Sequence, residues 1–197
     1  EAKKVVRLLK QIGINCKILV WKGKKPHSNI QKIARNTRYD LLLRESNRLK
    51  IKTILLGHQL NDLHENFFIR MARGSGLKGL ASLGKKTELF DIKLLRPLID
   101  VEKKDLEKLA LKVFKTFIED PSNKNRDFTR VRIRQILKEF QNEGLETKKI
   151  NLTINNLRSA NDALNFYTTK NILENTTYID NKYVYFIKKN FFNNPDE

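Results

Sequence analysis

Asp62 and Glu65 are two carboxylates three positions apart, shortly after an apolar run, Ile54-Leu55-Leu56, that stops at Gly57. That spacing puts both on one helix face. If the run is a strand and the acids open the next helix, they stand at the carboxyl end of a sheet strand, where open α/β sheets bind ligands. Paired carboxylates there can present joint negative charge to a cationic or metal-bound group. A plainer reading stands beside this one: acids in a first turn simply complement the helix dipole. His58 is open in the same way, as a contact to a nucleotide or base or as a packed or capping imidazole.

Arginines supply the complementary charge. Arg35 and Arg38 share a helical segment, and Arg126, Arg130, Arg132 and Arg134, with Lys124, crowd a second one. A guanidinium grips phosphate with a rigid fork, so these clusters say more about a polyanionic partner than the lysine excess does. The whole chain carries 40 basic against 22 acidic residues, a net charge of +18, which favours nucleic acid as that partner. A compositional bias toward Lys, Asn and Ile would raise the charge without any such partner. On helical spacing Arg130 and Arg134 lie one turn apart while Arg132 points elsewhere, so the three cannot meet one phosphate. Arg73, before Gly74, reads either as a substrate contact or as a cation at a helix C-terminus.

Some chemistries are excluded. Gly74-Ser75-Gly76-Leu77-Lys78-Gly79 fits G-x-G-x-x-G, but that fingerprint has a mechanism only between a strand and a helix. Here it follows the helix expected over Asp62–Arg73, so Gly74 reads as a left-handed C-cap. The single cysteine, Cys16, rules out a disulfide framework, a cysteine zinc site and paired redox thiols. No protein metal site is expected, and a reducing, cytoplasmic setting is the simplest fit. No apolar run approaches the length of a membrane span, so no membrane partner is expected.

The elements that must position these residues alternate. A helix is expected over 1–11, a short strand over Lys17–Trp21, and a helix opened by a Ser28/Gln31 capping box and carrying Ile30, Ile33, Ala34, Leu41 and Leu42. A strand over 52–56 and the helix 62–73 follow. Such alternation implies a doubly wound parallel sheet, Rossmann-like in class. A domain of that kind should open with a strand and a phosphate-facing loop, and the chain is expected to be incomplete at that point. Further on, the sequence predicts a strand over Leu89–Leu95 ending at Arg96-Pro97-Leu98, a helix from Asp100 or Val101, and a turn at Glu119–Asn123. A basic helix over Arg126–Phe140, a long helix over 145–175 and a hairpin over Tyr178–Ile187 complete it. The division expected is a catalytic domain over 1–143, then a helical connector and the start of a C-terminal region over 144–197.

Several separated motifs resemble one family, the tRNA(Ile)-lysidine synthetases of the PP-loop ATP pyrophosphatase group. Ala34-Arg35 with Arg38-Tyr39 is similar to A-R-x-x-R-Y, and Gly57–Asn66 is similar to A-H-H-x-D-D-x-x-E-T. Arg73-Gly74-Ser75-Gly76 with Gly79-Leu80 resembles R-G-S-G-x-x-G-L, and Arg96-Pro97-Leu98 resembles R-P-L. Asp120-Pro121-Ser122-Asn123, with Arg130, Arg132 and Arg134 after it, resembles D-P-S-N…R-x-R-x-R. Departures are Gln59 for the second His, Asn61 for the first Asp, Asn66 for Thr and Val131 for Asn; the S-G-G-x-D-S phosphate loop has no counterpart.

The resemblance implies a PP-loop ATPase fold and a two-step ligation. ATP, with Mg2+, adenylates the C2 oxygen of the wobble cytidine in tRNA(Ile) with a CAU anticodon; free L-lysine then displaces AMP to give lysidine. It implies Asp62, Glu65, Arg35 and Arg38 as catalytic residues, and His58, Arg73, Arg130, Arg132 and Arg134 as substrate-binding ones. A homodimer is left open. Two alternatives stand against it: a related PP-loop tRNA-modifying enzyme, of which those using cysteine pairs or iron–sulfur clusters are disfavoured by the lone Cys16, and a non-catalytic RNA-binding remnant. Without a phosphate loop the chain alone is expected to be inactive.

Overall fold

The computed structural model describes residues 1–23, 28, 30–120, 123, 125–179 and 183–186. Two compact units divide the chain, Glu1–Glu65 with Gly84–Arg132, and Asn66–Leu83 with Ile133–Glu197.

The first unit holds α1 (Ala2–Gln11), α2 (Ile30–Arg48), β1 (Thr53–Leu55), the start of α3 (Leu60–Met71), β2 (Lys86–Leu89), β3 (Ile92–Leu95) and α5 (Lys103–Phe114); α4 (Leu77–Leu80) is in the other unit. Its sheet runs β1-β3-β2. β1 lies parallel to β3, with Ile54 opposite Leu94, and β2 antiparallel to β3, with Leu89 opposite Ile92. The α/β class expected from the sequence is what forms, with a mixed sheet in place of a wholly parallel one. Ile92 and Leu94 are buried while Lys93 between them is exposed, the alternation of a strand with one core-facing side. Leu60, Leu63, Ile99 and Val131 complete the buried apolar set of this unit.

Four expectations are corrected here. Lys17–Trp21 forms no strand: among the described residues β1 pairs on one side only, with β3, and no ladder reaches the 14–22 segment. What ties it down instead is Lys17 Nζ, donating to Glu45 of α2 at 2.7 Å. Arg48 and Lys17 together hold the Glu45 carboxyl down at about 2. Secondly, Leu89–Leu95 is a hairpin and not one strand; its polar arm Lys86-Thr87-Glu88 is exposed and shows no apolar alternation to detect. The two-residue turn seats Phe90 at φ +52, a conformation that costs a side-chain-bearing residue about 1–2 kcal/mol. Thirdly, the basic helix expected from Arg126 begins later, as α6 (Thr129–Asn142). Asn125 Oδ1 accepts from Asp127 N at 2.9 Å, holding the preceding residues in a turn. The helix after Arg96-Pro97-Leu98 likewise starts late, behind Glu102. The side chain of Gln31, half of the expected capping box, and Pro121, Ser122, Lys124 and the Asp180-Asn181 turn lie outside what the structure describes.

The second unit contains the end of α3, α4, most of α6, α7 (Thr147–Asn175), and the antiparallel pair β4 (Thr176–Ile179) and β5 (Tyr183–Phe186). Phe67 and Phe68 meet edge to face with centroids 5.4 Å apart, and Phe68 also meets Phe140. Ile150 and Ile154 bury one stripe of α7, the long helix expected over 145–175. Gly74 takes φ +69 and Ser75 N reaches back to Arg70 O at 3.0 Å, so the glycine segment closes a helix as expected and does not open one. At Gly79 an added Cβ would come within 2.8 Å of Ser75 Cβ; the small helix α4 depends on that bare position.

Candidate functional site

Everything at the carboxyl ends of β1 and β3 is arranged around one buried arginine. Arg96 follows β3 and is 4% exposed. Its Nη1 donates to Gly84 O at 3.0 Å and to Thr87 Oγ1 at 2.7 Å. Its Nε donates to His58 Nδ1 at 3.2 Å. A guanidinium is always a donor, so His58 must present the lone pair at Nδ1 and keep its proton on Nε2. Burial is the largest influence on this imidazole and lowers its pKa; the Asp62 charge opposes, and Arg96, Arg130 and Arg38 push further down. His58 is thus a neutral ring with Nε2–H left to donate. Arg96 was not among the site residues expected from the sequence. Its signal there was its place at a strand end, in the Arg96-Pro97-Leu98 motif.

Asp62 fills the helix-terminal role that the sequence offered and keeps one oxygen outside it. One oxygen, Oδ2, accepts from Gln59 N at 2.9 Å, while the Gln59 side chain accepts from Asn61 N at 2.8 Å. This is a reciprocal N-terminal cap of α3, with Gln and Asp in the roles usually held by Ser and Glu. The other oxygen, Oδ1, faces Arg130 Nη1 at 3.9 Å. Leu60 N is tied to Val101 O at 3.0 Å, so both ends of the cap are anchored. Asp62 keeps a 22% exposed side chain, within reach of solutes.

Glu65 departs from expectation. The sequence places it beside Asp62 as a second accessible carboxylate, and the structure leaves it 1% exposed. Spacing tells which face a residue shares, not how deep that face lies. Leu63, His64 and Glu65 are buried in succession, which encloses α3 around more than one stripe.

Arg35 and Arg38 are exposed on α2, with their guanidinium carbons 5.3 and 6.0 Å from the Tyr39 ring centroid, cation–π distances. Of the two, Arg38 joins the site: it acts on His58 and lines a cavity of about 580 Å³ with Trp21, Leu19, Leu41, Leu42 and Lys17. Arg132 turns to its own chain, donating to Arg126 O at 3.0 Å, Asp127 O at 2.9 Å and Thr129 Oγ1 at 3.2 Å. Arg73 and Arg134 belong to the second unit, Arg73 exposed at the end of α3 and Arg134 half-buried on α6. The first unit therefore assembles Arg38, His58, Asp62, Arg96 and Arg130.

In chemical terms this is a neutral donor, a half-buried carboxylate and two accessible guanidiniums at a sheet's carboxyl edge. Such a set can bind a cation at Asp62, steady phosphate or a developing oxyanion at the arginines, and donate one hydrogen bond from His58. Among the described residues, no three His, Cys, Asp or Glu side chains cluster as a metal-ligand set.

Comparison with known proteins places the chain in a family. The tRNA(Ile)-lysidine synthase of Bradyrhizobium diazoefficiens is 34% identical over 168 residues, covering 85% of this chain and 46% of the relative. Its namesake in Wolbachia pipientis wMel is 33% identical over 198 residues, covering all of this chain and 46% of the relative. The chain spans about half the length of the curated relatives it matches. Among solved structures, the U34-tRNA thiolase NcsA from Methanococcus maripaludis aligns with a TM-score of 0.62 at 18% identity, over 80% of this chain and 56% of that one; at that identity the likeness is one of fold. The PP-loop domain pattern itself matches residues 1–140, β1, β3 and the Arg96 cluster included, and the chain belongs to the PP-loop domain family.

Proposed function

We propose that this chain forms part of a tRNA(Ile)-lysidine synthetase, which ligates lysine to C2 of the wobble cytidine in tRNA(Ile) bearing a CAU anticodon. The observation that carries the reading is the Asp62–Arg130 pair beside neutral His58, an anion-and-cation edge suited to an ammonium and a phosphorylated base at once. Relatives named for this activity, similar over most of the chain, support it.

In this reading the cytidine O2 attacks the α-phosphorus of ATP and pyrophosphate leaves, giving an adenylated tRNA. The lysine ε-amine then attacks C2, the C2–O bond breaks, AMP departs and the amine loses a proton. Asp62 Oδ1 receives the lysine ammonium by a charge-assisted hydrogen bond and takes up that proton. Its Oδ2 stays engaged in the helix cap, which fixes the carboxylate's direction. Arg38 neutralises phosphate charge, with Arg35 one turn away on the same helix. The cavity beside Arg38, apolar with cations in its lining, suits a heterocycle carrying phosphates. His58 donates from Nε2 to nucleotide or base. Glu65, closed off from solvent, acts as a positioning residue. Mg2+ would be held chiefly by the phosphates of the nucleotide, since Asp62, the accessible carboxylate of the set, is engaged by the helix cap and the ammonium; it would offset phosphate charge. Arg73, Arg130, Arg132 and Arg134 belong to tRNA binding, Arg132 indirectly through the turn it secures.

The test is transfer of radiolabelled lysine by the full-length protein, with ATP, to a tRNA(Ile) transcript with a CAU anticodon. Label in the wobble cytidine is the expected result. Bound tRNA with no label transferred would overturn the ligase and leave an RNA-binding protein.

A further inference from the structure

The opposite edge of the same sheet holds a second cavity, of about 380 Å³, lined by Asp40, Leu43, Arg44, Asn47, Lys52, Phe90, Asp91 and Ile92. It lies at the amino ends of β1 and β3, because Lys52 leads into the former and Phe90-Asp91 into the latter. Two features mark it. Phe90 stands 84% exposed at the positive φ of a turn position that favours glycine. Strain of that kind persists where something else retains the residue. Moreover, two cations and two carboxylates line the cavity, yet among the described residues none of Asp40, Arg44, Lys52 and Asp91 enters an ion pair.

We propose that this cavity binds one unstacked nucleotide of the RNA substrate, its base on the Phe90 ring and its phosphate on Arg44 and Lys52. Unpaired bases splay out and stack on aromatic side chains in RNA recognition. Asp91, Asp40 and Asn47 accept hydrogen bonds from an exocyclic amino group, as carboxylates do from cytosine N4. The carboxylates also argue against a polyphosphate track, since a run of phosphates would meet both of them. A cavity of this size is within the range of small-ligand sites, and the +18 charge of the chain favours an anionic occupant. The inference rests on the tRNA reading above and adds to it a contact site remote from the ligation chemistry.

Phe90→Gly separates binding from folding, because glycine relieves the turn while removing the ring. Binding of the full chain to a tRNA(Ile) transcript and to a short unstructured RNA would be followed by fluorescence anisotropy. The expected result is a melting temperature at or above that of the parent and tRNA affinity reduced about tenfold, the scale of one lost base stack. Arg44→Ala with Lys52→Ala should lower the salt dependence of binding by about one phosphate's worth, a log–log slope change near 0.7 to 0.9. Equal affinity of Phe90→Gly and parent for tRNA overturns the nucleotide site while leaving the tRNA reading intact. Failure of the parent to bind either RNA overturns both. Loss of self-association in Phe90→Gly by sedimentation, with RNA affinity unchanged, would assign the patch to a second copy of this chain.

Discussion

The two edges of one small sheet treat charge in opposite ways. At the carboxyl ends of β1 and β3, Arg96, His58, Asp62 and Arg130 answer one another through hydrogen bonds and a charge pair. Their orientations are set before any ligand arrives. At the amino ends, Asp40, Arg44, Lys52 and Asp91 surround a cavity without pairing, next to an exposed phenylalanine in a strained turn. Pre-organisation is what chemistry on a bound group requires; unpaired charge around an aromatic platform is enough for recognition. Mutations should therefore divide by edge, with stability and turnover changing at the first and affinity alone at the second.

The largest effect is expected from Arg96→Ala. It leaves the Gly84 carbonyl, the Thr87 hydroxyl and His58 Nδ1 without their donor, a loss of about 3 kcal/mol, or roughly 6–12 °C in melting temperature for a chain of this size. A thermal scan showing less than a 2 °C change would remove Arg96 from the centre of this edge. Next, Asp62→Asn in the full-length enzyme should reduce kcat/KM for lysine about 10- to 100-fold, the loss of one charge-assisted hydrogen bond, with a smaller change for ATP. Asn can still accept from Gln59 N, so the fold should survive; equal losses for both substrates would mean that Asp62 does not meet the lysine.

Arg130→Ala with Arg134→Ala should lower the salt slope of tRNA binding by about 1.5, taking 0.7 to 0.9 per phosphate. Arg132→Ala should leave the slope alone and loosen the turn before α6. The opposite pattern would reverse their roles. The smallest effect is a pH dependence. With its folded pKa below the usual histidine value, His58 binds fewer protons folded than unfolded. Stability is then fully present above the unfolded pKa, and is lost as pH falls from there through the folded one. His58→Gln, which keeps an acceptor for Arg96, should flatten denaturant midpoints measured between pH 7.5 and 5.5; an unchanged dependence would place the titration elsewhere.

Much of this edge could be read from residue order. The Ile54-Leu55-Leu56 run, the acid after it and the glycine after α3 each signal through local rules, and each forms as those rules demand. Depth and partnership were not legible. Glu65 shares a face with Asp62 but lies buried, because burial depends on what packs from distant parts of the chain. Lys17–Trp21 has the composition of a strand and no neighbour to make it one. Phe90 reads as strand interior, and only the backbone shows that it turns the corner. Helical spacing separates Arg132 from Arg130 and Arg134, but does not tell which carbonyls it reaches.

One feature bears on handling the protein. Among the described residues β1 pairs on one side only, Leu55 within it is 67% exposed, and Val20 in the 14–22 segment is 66% exposed. Bare edges of this kind template strand-to-strand association. The counterweight is the charge of +18, whose mutual repulsion keeps copies apart. Salt weakens that repulsion, since screening shortens to about 10 Å at 0.1 M and about 3 Å at 1 M. Colloidal stability should accordingly fall as ionic strength rises, so that a high-salt wash meant to strip nucleic acid from the purified chain would also bring it to its point of least solubility.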